Sequence, residues 1–72
     1  MTSSIPYPEN DPRHQSFRIK KMLRETLEHV RRDGAKISDP RGQALFEVSA
    51  EVLGGLLSAY DNFEHRDEGG VR

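Results

Sequence analysis

The stretch that decides the fold is residues 45–63, LFEVSAEVLGGLLSAYDNF. Its apolar residues recur at alternating steps of four and three, which is the spacing of one face of an α-helix. Two such rows run side by side along this stretch. The first, called the 45 row, contains Leu45, Ser49, Val52, Leu56, Ala59 and Phe63. The second, called the 46 row, contains Phe46, Ala50, Leu53, Leu57 and Tyr60.

Together the two rows form an apolar arc of roughly 200°, about twice the stripe of an ordinary surface helix. A helix of this kind needs cover from two directions. The chain has 72 residues, which is enough for one small domain with a marginal core. Because a large apolar side chain left in water forgoes roughly 1.5–3 kcal/mol, we expect a second copy of the chain to supply part of the cover.

The tripeptide Asp-Pro-Arg occurs twice, at residues 11–13 and 39–41. The aspartate can accept hydrogen bonds from the free N–H groups of a first helical turn, and proline suits that turn because its missing N–H costs nothing there. Each copy therefore predicts the start of a helix.

The first helix is predicted to stop at Gly34, where glycine tolerates a left-handed C-terminal cap. The short connector after it then forces the second helix back antiparallel to the first. The tails show no apolar periodicity, and we expect them to be flexible. The predicted segments are a flexible tail (1–10), a hairpin (11–66) made of helix 1 (about 12–33), a connector (34–39) and helix 2 (about 40–66), and a second flexible tail (67–72).

Helix 1 offers a single apolar line, formed by Ile19, Leu23, Thr26 and Val30 and flanked by Met22 and Leu27. One row of helix 2 should cover this line, and the other row should bind a second chain. The sequence does not decide which row does which. The predicted fold is all-α, an antiparallel two-helix hairpin that dimerises into a four-helix bundle. The predicted oligomer interface comprises Leu45, Phe46, Val52, Leu53, Gly55, Leu56, Leu57, Tyr60 and Phe63.

Two glycines, Gly54 and Gly55, interrupt the middle of helix 2, where each should cost ~1 kcal/mol relative to alanine. Gly55 lies at the edge of the apolar arc near other small residues. This position predicts the close approach of another helix there; a kink in helix 2 is the alternative.

Charges are segregated between the two helices. Residues 12–33 carry seven basic and three acidic side chains, whereas residues 40–68 carry two basic and six acidic ones. One interpretation is that opposite charges flank the antiparallel seam and set its register. The other is that helix 1 presents a phosphate-binding face. Its contacts would be Lys20, Lys21, Arg24, Arg31 and Arg32.

Several classes of function lack support in the sequence. The chain contains no cysteine, which excludes disulfides and thiolate metal sites. The three histidines do not form the Glu-x-x-His pairs of helical di-metal sites, and the serines lack a neighbouring His-acid pattern. No apolar run approaches the ~20 residues of a membrane span, and no secretory signal is evident.

We therefore expect a cytoplasmic, non-enzymatic protein without a cofactor or metal and without a membrane partner. Its partner should be a second copy of itself, with another protein as a further possibility. The predicted role is that of a small adaptor or regulatory subunit acting through protein–protein contacts. The alternative is a dimeric RNA or DNA binder that uses the basic face of helix 1.

Overall fold

The computed structural model describes residues 5–69, with side chains as far as His65, and these residues form two α-helices and no strand. Helix α1 spans Pro12–Gly34 and helix α2 spans Pro40–Gly69. The two helices pack against each other as a hairpin, which confirms the predicted all-α class. Helix α2 continues three residues beyond its predicted end at about residue 66.

Both Asp-Pro-Arg segments stand at helix starts. Asp11 has extended backbone angles (φ −89°, ψ 128°) and accepts a hydrogen bond from the Arg13 backbone N–H, at an N···O distance of 2.9 Å. Asp39 accepts one from the Arg41 N–H at 3.3 Å. The Arg13 guanidinium also donates to the Asp11 carboxylate, and these hydrogen bonds lower the pKa of Asp11. The cap therefore stays charged at the positive end of the helix dipole.

The predicted left-handed cap at Gly34 is wrong. Gly34 is the last helical residue of α1, and Ala35 after it keeps helical angles (φ −65°, ψ −18°). Glycine fits closely at this position, because a Cβ there would lie 3.1 Å from the Cβ of Phe46, which is closer than most such contacts. Its small size, and not its backbone freedom, lets α2 approach the end of α1.

The line of α1 that faces α2 also differs from the prediction. Leu23 and Val30 belong to it, but Ile19, Met22 and Thr26 are exposed. The prediction failed because two polar side chains are buried in this line where apolar ones were sought. The line is Ser16, Lys20, Leu23, Leu27, Val30 and Gly34.

The 46 row of α2 faces α1. Phe46 lies against Gly34 at the turn end, and Glu64, the next step after Tyr60, contacts Ser16 at the open end. This register places Leu53 opposite Leu27, the one hydrophobic side chain among the described residues that is more than nine-tenths buried (7% exposed). The 45 row, in contrast, lies on the flank of α2, and most of its side chains are exposed.

Residues 5–10, which the sequence assigned to a flexible tail, contact the first turns of α1. The Tyr7 ring meets Phe17 edge-on, with 6.4 Å between ring centroids, and the Arg13 guanidinium lies 4.4 Å above the Tyr7 ring. The Tyr7 carbonyl lies 3.0 Å from Nδ1 of the buried His14. The remaining tail residues, 1–4 and 70–72, lie outside the described part of the chain.

Candidate interaction surface

The hairpin has two unlike sides. One side, called the open face, combines the 45 row and Val48 of α2 with Ile19 and Met22 of α1. The opposite side, called the charged face, places Lys21, Arg24 and Arg31 of α1 beside the acidic flank of α2. One surface cavity marks each side: Ile19 shares one cavity with Phe63, and Arg31 shares the other with Glu47.

Large apolar side chains dominate the open face. Seven of those in the described chain are between 37% and 62% exposed, and the most exposed is Leu45. They are Ile19, Met22, Leu45, Val48, Val52, Leu56 and Phe63. Exposed large apolar side chains gathered on one face are uncommon on soluble monomers and typically mark an interaction site.

Of the predicted interface residues, the structure leaves one group open and turns the other towards α1. Phe46, Leu53, Leu57 and Tyr60 are half-buried in the 46 row. Gly55 is exposed together with most of the 45 row. The predicted set therefore contains both the intramolecular seam and the open face, which the sequence could not separate.

A groove of about 440 Å³ lies at the open end of the hairpin, on the open face. It runs between α1 and α2, and its lining is mainly apolar. The lining residues are Pro12, Gln15, Ser16, Ile19, Ala59, Tyr60 and Phe63. A second cavity, of about 460 Å³, lies near the turn on the charged face and is lined in part by Arg31 and Glu47.

The two central glycines of α2, Gly54 and Gly55, have no steric role within the hairpin. A Cβ built on either Gly54 or Gly55 meets no described atom within 4 Å. The close approach predicted at Gly55 is therefore not an approach of α1, and a helix that uses it must come from outside the hairpin.

A buried polar cluster closes the seam beside the groove. Lys20 Nζ donates to Glu64 Oε1 and to Asp61 Oδ1, both at 2.8 Å. Ser16 Oγ donates to Glu64 Oε2 at 2.7 Å. Glu64 is only 2% exposed, and every buried side-chain nitrogen or oxygen among the described residues has a hydrogen-bond partner. Such full pairing is what makes a buried charge tolerable.

The electrostatics of the cluster follow from these contacts. Burial acts to lower the pKa of Lys20, but the hydrogen bonds to Asp61 and Glu64 outweigh it and the pKa is raised. The hydrogen bond from Lys20 lowers the pKa of Asp61. Lys20 and Asp61 are therefore both charged near neutral pH, and each stabilises the charge of the other.

The cluster removes Lys20 from the predicted phosphate-binding set, because its ammonium is buried and engaged by two carboxylates. The other four members are exposed, and two of them lie near an acidic or imidazole side chain. Lys21 lies 4.0 Å from Glu25, and Arg32 lies 3.3 Å from the His29 ring nitrogen. Nucleic-acid contact through Lys21, Arg24, Arg31 and Arg32 stays a prediction, and it would have to overcome these local partners.

The sequence-based prediction does not include Glu64 and Ser16 as members of a buried polar cluster, although their spacing in the sequence indicates it. Glu64 is the next position of the 46 row after Tyr60, and Ser16 and Lys20 precede Leu23 at the same four-and-three spacing. A carboxylate on one apolar row and a lysine on the facing one are the pattern of a buried ion pair. The segregation of charge alone predicts flanking groups and not a buried pair.

Other kinds of site find no geometry within the described residues. No three of their His, Asp or Glu side chains are grouped as metal ligands. In neither helix is there a segment both long enough and apolar enough to cross a membrane. Comparison of the chain with known protein families, curated proteins and solved structures finds no match.

Proposed function

We propose that this chain is a non-enzymatic helical protein that self-associates through its open face into a homodimeric four-helix bundle and acts through protein–protein contacts, as an adaptor or regulatory subunit. The observation that carries the proposal is the imbalance of its hydrophobic side chains. In the described chain one is almost fully buried, whereas seven large ones remain between about one-third and two-thirds exposed.

The magnitudes favour association. A large side chain that is about half exposed gains on the order of 1 kcal/mol when a partner covers it. Seven such side chains contribute several kcal/mol per chain, which is comparable to the whole stability of a small domain. A 72-residue chain without disulfides gains much from oligomerisation because its own core is small.

The charge pattern favours a second copy as the partner. Residues 52–60 of α2 carry no charged side chain, so a partner that faces this segment should be uncharged as well. Covering a charge without pairing it carries a large desolvation cost. The open face of a second copy meets this condition by symmetry, since it presents the same uncharged segment.

Sedimentation equilibrium from low to high micromolar concentration tests the proposal. We expect the wild-type chain to be a dimer. Val52→Glu should make it a monomer, because each copy would then bury an unpaired carboxylate. Ser58→Glu is the matched control: it adds the same charge to an exposed site on the same helix, away from the open face, and should leave the dimer intact. A wild-type chain that stays monomeric at every concentration contradicts the proposal.

A further inference from the structure

We infer that the second copy crosses α2 antiparallel, about a twofold axis beside residue 54, so that Leu45 of each chain enters the groove of the other. This inference rests on the proposed self-association and specifies its geometry. It joins two features of the open face that the hairpin itself leaves unused.

The first feature is the side chain of Leu45, called the knob. Leu45 lies in the first turns of α2 and is the most exposed large hydrophobic residue of the described chain, at 62%. The second feature is the groove of the open face, called the socket. The groove lies at the far end of the same face, where Ile19, Ala59 and Phe63 form much of its apolar lining.

The hairpin cannot bring the knob to its own socket. Leu45 and Phe63 belong to one continuous helix, and at 1.5 Å per residue they are about 27 Å apart along it. Leu45 can therefore enter such a groove only on another molecule.

Twofold symmetry connects both ends at once. In a contact of this type, residue i meets residue j of the partner, and j meets i. Pairing Leu45 with the partner's Phe63 puts the axis beside residue 54, midway between them. The same register pairs Ser49 with the partner's Ala59 and Val52 with the partner's Leu56. A parallel arrangement would instead set Leu45 against its own copy and leave both grooves empty.

Gly55 is consistent with this axis. Glycine is unfavourable inside a helix, and the hairpin provides no steric reason for Gly55, since a Cβ there touches nothing. At a helix crossing, a residue without a side chain allows the two backbones to come close. The axis of the inferred dimer passes at the level of residue 54, one residue from Gly55.

Because the natural chain has no cysteine, disulfide trapping can test the register cleanly. Ser49→Cys and Ala59→Cys are prepared as separate proteins, mixed, equilibrated and oxidised. The two variants differ in mass, so mass spectrometry separates the mixed disulfide from the two like pairs. Disulfides require Cα atoms within about 7 Å, and we expect the mixed product in large excess over both like pairs. Ser58→Cys, on the other side of α2, reports the level of random collision.

Like pairs in excess, or a product distribution no different from random pairing at the Ser58→Cys level, would overturn the antiparallel register. Either result with a wild-type dimer in sedimentation rejects the geometry alone. A monomeric wild-type chain rejects the proposed function as well. As a second measurement, Leu45→Ala should raise the dimer Kd about ten-fold or more, with little effect on the hairpin because the side chain is mostly exposed there. An unchanged Kd would contradict the inference that Leu45 enters the partner's groove.

Discussion

The two apolar rows of α2 belong to one helix and have similar compositions, yet they have different surroundings. The 46 row lies under α1, from Phe46 against Gly34 to Glu64 in contact with Ser16 and Lys20. Most of the 45 row, from Leu45 to Phe63, is exposed to solvent. The covered row ends in a buried charge, whereas the open row contains none.

This difference shows what each row requires of its partner. A buried ion pair specifies one register, because sliding the helices by one turn would leave Glu64 without Lys20 and expose the cluster to apolar neighbours. The 45 row contains no ion pair, so its selectivity for one partner has to come from the shape of the contact. Four sets of substitutions test this contrast, from the largest expected effect to the smallest.

Lys20→Met should produce the largest effect. It leaves the buried Glu64 carboxylate without its cation, which typically costs about 3–5 kcal/mol, enough to unfold a large fraction of a small protein. Circular dichroism with urea unfolding measures the loss. The double variant Lys20→Met, Glu64→Leu is the control and should recover much of the stability. If the double variant is as unstable as the single one, the pairing of charges is not the cause.

The same leucine-to-alanine substitution in each row compares the 45 row and the 46 row directly. Leu53→Ala in the 46 row should lower the free energy of unfolding by about 2–3 kcal/mol, at every protein concentration. Leu56→Ala in the 45 row should cost less, because this side chain is already 41% exposed in the hairpin, and its effect should grow with protein concentration. Urea unfolding at low and high concentration separates them. Equal, concentration-independent losses would argue that both rows are buried within one chain.

The glycine pair offers a smaller test. Gly54→Ala should raise the stability of the helix by about 0.5–1 kcal/mol, since a Cβ there meets no described atom. Gly55→Ala should give the same gain to an isolated hairpin but a smaller gain, or a loss, in the dimer. Thermal unfolding at matched concentrations compares the two variants. An equal gain in both would show that no helix approaches Gly55.

The smallest expected effect is a pH dependence at the half-exposed Asp61. Its pKa lies below the ordinary value of 3.8 because Lys20 donates to it, so its stabilising contribution is present above that pH and is lost as the pH falls through the lowered pKa. The raised pKa of Lys20 keeps the pair charged beyond pH 10.5. The difference in unfolding free energy between wild type and Asp61→Asn should therefore be constant near neutral pH and shrink at both extremes. A difference that does not change with pH contradicts the ion pair.

Local features could be predicted from the sequence. The Asp-Pro-Arg starts and the short connector define two antiparallel helices, since a cap depends on residues within one turn of it. The excess apolar surface of α2 was likewise visible as a second row. Which row faces α1 could not be predicted, because the two rows have nearly equal apolar content.

The residues at the two ends of the seam between α1 and α2 could not be predicted from hydrophobic periodicity. Lys20 and Ser16 look like surface residues until Glu64 is placed beside them, and Lys20 and Glu64 are 44 positions apart. A lysine is buried only when a carboxylate meets it, so its burial depends on the tertiary register and not on its own neighbours. The prediction of a left-handed cap at Gly34 failed for a similar reason. The role of this glycine depends on its contact with Phe46 and not on its backbone conformation.

The position of the ion pair also has a consequence for the order of folding. Gly34 and Phe46 are close in the chain, so the turn end can close at a small entropic cost. The contact between Ser16 and Glu64 spans 48 residues, and it should form last as the hairpin closes from the turn. Interactions that form after the transition state govern the unfolding rate. The cluster at Lys20 should therefore act as a latch: it slows the opening of the hairpin and leaves the rate of closing almost unchanged.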